Sequence, residues 1–186
     1  MLFRSAEAAI HATRRLLSNL SDNYVFFKLD FTNAFNSVRR DTILTKVAEK
    51  MQELYRFICD SLDCNLQLIF GENIIISAEG SQQGDPLSGL KFCASIQLTL
   101  IERQSGSNNM WGFVDEIDLE GEVPRVVRDI QTIVDSRPQT GLLLNIHKCE
   151  ITTRNFDIID KFPIFQHFRR VPLEDMTLRH YSVLQI

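Results

Sequence analysis

Apolar and polar positions follow two different rhythms along the chain, and the switches between them outline the elements. From Ser5 to Leu20, residues Ala6, Ala9, Ile10, Leu16, Leu17 and Leu20 recur at helical spacing with Arg14 and Arg15 between them. This predicts an amphipathic helix, closed by the turn-forming SDN. The run YVFFKLD is β-branched and aromatic, and predicts a buried strand ending at Asp30. Beyond the FTNAFNSV connection, Asp41 is placed to cap a helix carrying Ile43, Leu44, Val47 and Met51, continued or restarted through ELYRFICDSL. NLQLIF and NIIISA flank Gly71 and Glu72 and predict a β-hairpin. EGSQQGDP reads as a loop, with Pro86 suited to the first turn of a helix whose apolar face includes Leu87, Leu90, Phe92, Cys93, Ile96 and Leu100.

After the polar stretch QSGSNN, two strand-like runs in MWGFVDEIDLEG meet at adjacent carboxylates, Asp115 and Glu116. VPRVVRDIQTIVDSR is helical in pattern through Val123, Val126, Val127, Ile130 and Ile133, and GLLLNIHKCEITT predicts a turn plus a strand. The order is helix, strand, helices, hairpin, helix, hairpin, helix, strand. It describes an α+β chain with an antiparallel sheet covered by helices on one face. No repeat or linker precedes Thr153, so residues 1–153 form one expected domain. Residues 154–186 are proline-punctuated and weakly periodic, and are set apart as an extension without an assigned role.

Composition narrows the class. A chain of 186 residues with 44% hydrophobic and 24% charged residues is built to fold around one core. No apolar run approaches the roughly 20 residues that span a bilayer, and the first residues lack the basic-then-apolar order of a secretory signal. The expectation is an intracellular protein, cytoplasmic or nuclear, without a membrane partner. Cys59, Cys64, Cys93 and Cys149 show neither CxxC spacing nor a disulfide framework, and read as reduced thiols. The net charge of −4 argues against a strong free-standing nucleic-acid clamp. Residues 1–50 hold eight basic and five acidic groups, and the remainder twelve against nineteen, so any phosphate-facing surface belongs to the N-terminal part.

Taken alone, a carboxylate at a strand exit, a Gly-Asp-Pro turn and an acidic hairpin tip are ordinary. Their order suggests chemistry. Nucleotidyl transfer uses two divalent cations about 4 Å apart that clamp the attacking and leaving oxygens, and hard cations want carboxylate oxygens. A strand-end Asp and a hairpin Asp on a neighbouring strand supply these, while a Gly-containing loop lets backbone approach a nucleotide.

KLDFTNAFNSV, EGSQQGDPLSGLKFC, GFVDEIDLEG and GLLLNIHKCEI resemble, in order, motifs A, B, C and D of the reverse-transcriptase palm in its retrotransposon version. The resemblance covers Ala6 to Thr153. It implies a ferredoxin-like polymerase palm with fingers and thumb largely missing, since only about thirty residues precede Asp30. It further implies RNA-directed DNA polymerase chemistry with Mg²⁺ or Mn²⁺, on an RNA template with a DNA primer and deoxynucleotides. Asp30, Asp115 and Glu116 would hold the metal, with the Phe31 carbonyl as a further ligand. Phe35 would be the aromatic gate against the sugar 2′ position, Gln83 and Gly84 would line the nucleotide and template pocket, and Lys148 would protonate the departing pyrophosphate. Arg14, Arg15, Arg39 and Arg40 are candidates for phosphate contact; His147 has no partner at ligand spacing.

The chain departs from the family pattern at Glu116, where a second aspartate is expected, and at Ile117, which suits a turn poorly. The added methylene predicts weakened chemistry, because Mg²⁺ is strict about geometry and a displacement of about 1 Å costs on the order of a hundredfold. Two function classes therefore stand: a polymerase palm that needs fingers, thumb or a partner chain, and a non-catalytic interaction module that keeps the fold. A nucleotide cyclase would also use carboxylates at a strand end, but the QQGDP loop and the NAF segment favour the polymerase.

Overall fold

The structure is a computed structural model that describes residues 11–62, 67–82, 84–96, 109–113 and 116–176. In chain order the elements are α1 (residues 11–18), β1 (Tyr24–Leu29), α2 (Ala34–Ser37), α3 (Arg40–Lys50), α4 (Gln52–Ser61), β2 (Gln67–Phe70), β3 (Asn73–Ile76), α5 (Ser88–Ile96), β4 (Asn109–Phe113) and β5 (Glu116–Glu122). Then come α6 (Val123–Asp135), α7 (Arg137–Thr140), β6 (Glu150–Thr152), α8 (Asp157–Asp160), a 3-10 turn (Pro163–His167), β7 (Arg169–Arg170) and α9 (residues 173–176). Length favoured one compact unit, yet the chain groups into two. The first comprises Met1–Asp30, Gln104–Gln131 and Leu144–Ile186, and the second Phe31–Arg103 and Thr132–Leu143. The excursion between β1 and β4 carries four helices and a hairpin, enough to gather contacts of its own.

The first unit is organised by β1. Its aromatic and β-branched residues sit in the centre of a five-stranded sheet ordered β4-β5-β1-β6-β7, antiparallel except for the β6–β7 pair. Val25, Phe26, Phe27 and Leu29 are all fully buried. Burial of side chains this size is worth about 1.5–3 kcal/mol each. Successive side chains point to opposite faces, so both faces of β1 are covered. Phe26 belongs to a cluster with Leu17 and Leu20 of α1 and with Val171 and Met176. Phe27 meets Phe168 edge-on with ring centroids 4.7 Å apart, and Phe165 at 6.4 Å.

The expectation of helices on one face is therefore incomplete, since residues 163–168 close the second face at β1. Residues 154–176, unreadable in the sequence, also tie to the unit by hydrogen bonds: Arg154 Nη2 donates to the Ser18 carbonyl at 2.8 Å, and the Arg169 and Val171 N–H groups donate to the Cys149 and Ile151 carbonyls.

In the second unit, α3 stops where Met51 leaves helical geometry at φ −142°, and α4 restarts at once. Asp41, read as a cap, lies inside the first turn of α3, after the N-cap Arg39. It accepts from the Arg39 side chain at 3.0 Å and from the Thr42 N–H at 2.8 Å. The FTNAFNSV connection contains the short helix α2, entered through Asn33 at φ +48°, a left-handed conformation that Asn tolerates. The first hairpin forms as read, with Phe70 opposite Asn73 and Gln67 opposite Ile76.

A close crossing in this unit lies at Gly80. It has φ +71°, and a Cβ there would lie 2.4 Å from the Asn36 carbonyl oxygen. Gly71 has a similar φ of +61° but open space around it. In urea unfolding, Gly71→Ala should cost about 1 kcal/mol from backbone strain, and Gly80→Ala at least twice that because two main chains must separate. Equal losses for the two variants would remove the close crossing as a constraint.

Candidate active site

The last rung of the β1–β5 ladder pairs Leu29 with Ile117, and β4 and β5 close with Phe113 opposite Glu116. Continuing that antiparallel register by one residue sets Asp30 opposite position 116 at the same end of the sheet. Two of the three carboxylate positions singled out in the sequence are thus brought together by main-chain geometry. Asp115 lies outside the described residues, and only the main chain of Glu116 is described.

The main chain of half-buried Asp30 is held by a turn that follows α7 in the sequence. The Asn145 N–H donates to the Asp30 carbonyl at 2.9 Å, and the Asp30 N–H approaches Cys149 Sγ at 3.5 Å. Lys148 belongs to the same turn, its N–H donating to the Asn145 carbonyl at 2.9 Å while its side chain is exposed. His147 is exposed beside it. The buried Cys149 thiol is pushed up to about 11 by burial, with the Asp30 charge adding to the rise and the Asp30 backbone hydrogen bond working against it. It stays a neutral thiol at physiological pH.

Directly paired residues share a face of the sheet, so the face of Asp30 can be read from the register. Lys28 lies opposite Asp118 and Glu150, and Phe26 opposite Glu120 and Thr152. Glu120 and Glu150 are both buried, and Arg169 reaches Glu150 at 3.3 Å. The face that leads to Asp30 therefore carries four acidic residues, Asp118, Glu120, Glu122 and Glu150, against Lys28 and Arg169, and its middle, at Phe26, is filled by the chain's own apolar residues. Phosphate backbones are not attracted to such a surface.

The remaining candidates belong to the second unit. Phe31 is buried, and half-buried Phe35 stacks on Phe92 of α5 with ring centroids 4.6 Å apart. The segment before Gln83 runs along α2, with the Ser81 N–H donating to the Phe35 carbonyl at 2.7 Å and the Gly80 N–H to the Val38 carbonyl at 3.0 Å. Gln83 itself lies outside the described residues. Gly84 has φ +90° and nothing within 4 Å of where a Cβ would stand, so the loop is open there. A cleft of about 600 Å³ lined by Asn36, Ile76, Ser77, Ser81 and Gln82 opens beside it, within the size range of ligand pockets.

The two arginines paired in the sequence part ways in the structure. Arg40 is a clamp, its guanidinium donating to the Gly80 carbonyl at 3.0 Å, to Ser77 Oγ at 2.8 Å and to the Glu79 carbonyl at 3.2 Å. It is committed to holding the loop, which corrects its reading as a phosphate contact. Arg39 is exposed and forks onto Asp41, which raises the guanidinium and lowers the carboxyl from their ordinary values.

Sequence reasoning missed a second anchor of the loop. Lys91, on the buried side of α5 at 1% exposure, forms an ion pair with Asp85. Asp85 also accepts the Leu87 N–H at 2.9 Å. Burial pushes the Asp85 carboxyl up, but the Lys91 hydrogen bond, the Leu87 N–H and the Lys91 charge together outweigh it and leave the carboxyl below its usual value. The signal was present: a lysine inside an apolar helical pattern, six residues after the Asp of QQGDP.

The chain matches no protein-family model and no curated protein. Among solved structures it is similar to apo telomerase from Candida tropicalis at 12% identity and a TM-score of 0.57, over 82% of this chain and 32% of that one. It is also similar to telomerase from Candida tropicalis in complex with the TWJ fragment of telomeric RNA, at 14% identity and a TM-score of 0.51, over 78% of this chain and 28% of that one. The chain thus spans about a third of the length of those telomerase chains. Likeness at this identity shows the fold alone, a mixed α+β fold shared with part of those telomerase chains.

The Asp85–Lys91 pair yields a test with a definite sign. Removing one partner of a buried pair costs about 3–5 kcal/mol, because the other charge is left uncompensated. Asp85→Asn should destabilise by about 3 kcal/mol at pH 7, and Asp85→Leu with Lys91→Met should recover most of it. The folded-state carboxyl is depressed, so its contribution is complete above the unfolded value near 4 and fades as pH falls through the folded value. In denaturation series the gap between wild type and Asp85→Asn should close on acidification; a gap that widens instead would contradict the pairing.

Proposed function

We propose that this chain is a reverse-transcriptase-type palm of the retrotransposon version, with a divalent-cation site at Asp30, Asp115 and Glu116 inherited from RNA-templated DNA synthesis. The observation that carries the reading is the β1–β5 register, which ends with Leu29 opposite Ile117, one residue from Asp30 and from position 116. The donor set fits Mg²⁺ or Mn²⁺, because three carboxylates offer hard oxygen ligands and no thiolate or imidazole is among them. When bound, such ions stabilise the charge that develops on the attacking and leaving oxygens of nucleotidyl transfer.

The chain's own residues divide the remaining work. Asp30, Asp115 and Glu116 hold the ions, with the Phe31 carbonyl as a further donor. Phe35, braced by Phe92, crowds the sugar 2′ position of a deoxynucleotide. Gln83 and Gly84 present main chain and amide to the nucleotide and template, on a loop anchored by Arg40 and by Asp85 with Lys91. Lys148, exposed on the turn bonded to Asp30, is the proton donor for departing pyrophosphate.

A specific observation favours a second reading, in which the ion site survives and polymerisation does not. The face beside Asp30 is acidic and partly filled, and Glu116 lengthens one ligand. Catalysis by the chain alone is accordingly weak or absent, and an RNA template with a DNA primer would be engaged only with fingers, thumb or a partner chain supplied.

Two measurements separate ion binding from chemistry. In Mn²⁺ titration calorimetry, Asp30→Ala and Asp115→Ala should each weaken binding at least tenfold; unchanged binding in either would sink the carboxylate site whatever the activity. In primer extension on an RNA template, any incorporation should disappear with Asp30→Ala and rise on the order of tenfold or more with Glu116→Asp, as shortening the ligand restores its reach. Ion binding without incorporation in wild type and Glu116→Asp alike would select the non-catalytic reading. Where incorporation is seen, Phe35→Ala should admit ribonucleotides, and unchanged sugar discrimination would remove the gate.

A further inference from the structure

The second unit carries a further cleft, of about 590 Å³, along a seam between two stretches of main chain, residues 32–39 and 140–143. The Thr32 N–H donates to the Leu143 carbonyl at 2.8 Å, and the Arg39 N–H to the Thr140 carbonyl at 2.9 Å. Between these bonds lies Gly141, at φ +76°, where a Cβ would stand 2.2 Å from the Ser37 carbonyl oxygen. A seam held at three points by main chain does not have to be ordered when a ligand arrives.

The side chains along this seam are chiefly hydrogen-bond donors. Arg39 and Arg137, far apart in the sequence, line the same cleft, and both are exposed. Arg39 gives Nε and Nη2 to Asp41, which leaves Nη1 uncommitted among the described residues. The Arg137 guanidinium forms no ion pair or hydrogen bond among the described residues. Thr32 is exposed, and the Ser37 hydroxyl reaches only the Thr32 carbonyl, at a long 3.4 Å. Two guanidinium forks with two hydroxyls are the donor types that phosphate oxygens take. Exposed arginines are ordinarily just solvated, but these two share a cleft whose main chain is fixed. Of the basic pair at 39 and 40 only Arg39 is left for a phosphate, and the fold supplies it with a partner that the sequence did not announce.

The acidic member of the lining is Glu79, whose charge raises the Arg39 guanidinium. It discriminates between anions. A carboxylate brings a single negative charge against it, whereas a phosphate monoester carries about 1.5 to 2 at neutral pH and draws more from the two arginines.

We propose that this cleft is a phosphate site, in which the phosphate group of a small phosphate monoester lies between the guanidinium groups of Arg39 and Arg137 and accepts hydrogen bonds from the hydroxyls of Thr32 and Ser37. Arg39 binds through Nη1 while Asp41 keeps the rest of its fork, and Glu79 holds the affinity down. The site uses none of Asp30, Asp115 and Glu116, so it stands or falls apart from the polymerase reading.

Calorimetric titration of the full chain with inorganic phosphate and with a nucleoside 5′-monophosphate, at neutral pH and constant ionic strength, tests the site. Wild type should bind inorganic phosphate with a dissociation constant on the order of 1 mM and bind acetate more weakly. Arg39→Gln and Arg137→Gln should each weaken phosphate binding about fivefold, the upper worth of one exposed charge, with unchanged circular dichroism. Glu79→Gln should tighten it about threefold, a sign that a purely structural role does not produce. Equal affinity for the two probes marks a site for the phosphate alone, and tighter binding of the nucleotide marks one that also holds the nucleoside. Absence of saturable binding up to about 20 mM, acetate bound as tightly as phosphate, affinity unchanged in Arg137→Gln, or weaker binding in Glu79→Gln would each overturn the phosphate site.

Discussion

Strand β1 is hydrogen-bonded along both edges and buried on both faces, and the first unit depends on that double constraint. A strand in that position cannot shift by one residue without moving Phe26 and Phe27 to the opposite sides of the sheet. Pairing with β5 over six positions and with β6 over three removes the freedom to slide. The location of Asp30 follows from it. Once β1 is fixed, the residue after Leu29 must emerge beside the start of β5, where the hairpin brings position 116.

The same alternation that builds the core also explains why the surroundings of Asp30 are unlike a nucleic-acid surface. Odd positions of β5, Ile117 and Leu119, are buried with Leu29 and Phe27 opposite them, whereas even positions are Asp118 and Glu120. A strand written as IDLEGE therefore places its acids on the side of Asp30 by necessity. Charge balance along the sequence hinted at this in the excess of acid after residue 50. The register makes it a property of one face.

Most of the fold was legible because it is written in periods. The amphipathic helices α3 and α6, both hairpins and the central strand each keep one rhythm over the run that forms them. What escaped lay in segments too short for a period: α2 and α8 with four residues each, β7 with two and the 3-10 turn with five. The aromatic cover supplied by Phe165 and Phe168 belongs to this class, for a single ring against Phe27 has no repeat to announce it. At the candidate site, the place of Asp30 at a strand exit was readable because it follows from the run that forms β1. The clamps were not. Arg40 and Lys91 act through partners about 40 and six positions away, and an arginine pair or a lone lysine carries no sign of which carbonyl or carboxylate it will meet. Arg39 and Arg40 make the point, as neighbours in sequence with opposite roles, one solvated and one spent on the main chain of Ser77 to Gly80.

The hydrogen bond from the Asn145 N–H to the Asp30 carbonyl, with Cys149 against the Asp30 N–H, has an energetic meaning beyond placement. A ligand site whose main chain is already immobilised loses little conformational entropy when an ion arrives. Folding has met that cost in advance, through backbone bonds that do not involve the carboxylate at all. Replacement of the side chain at position 30 therefore leaves these main-chain bonds in place, and the architecture around it can persist under selection for stability alone.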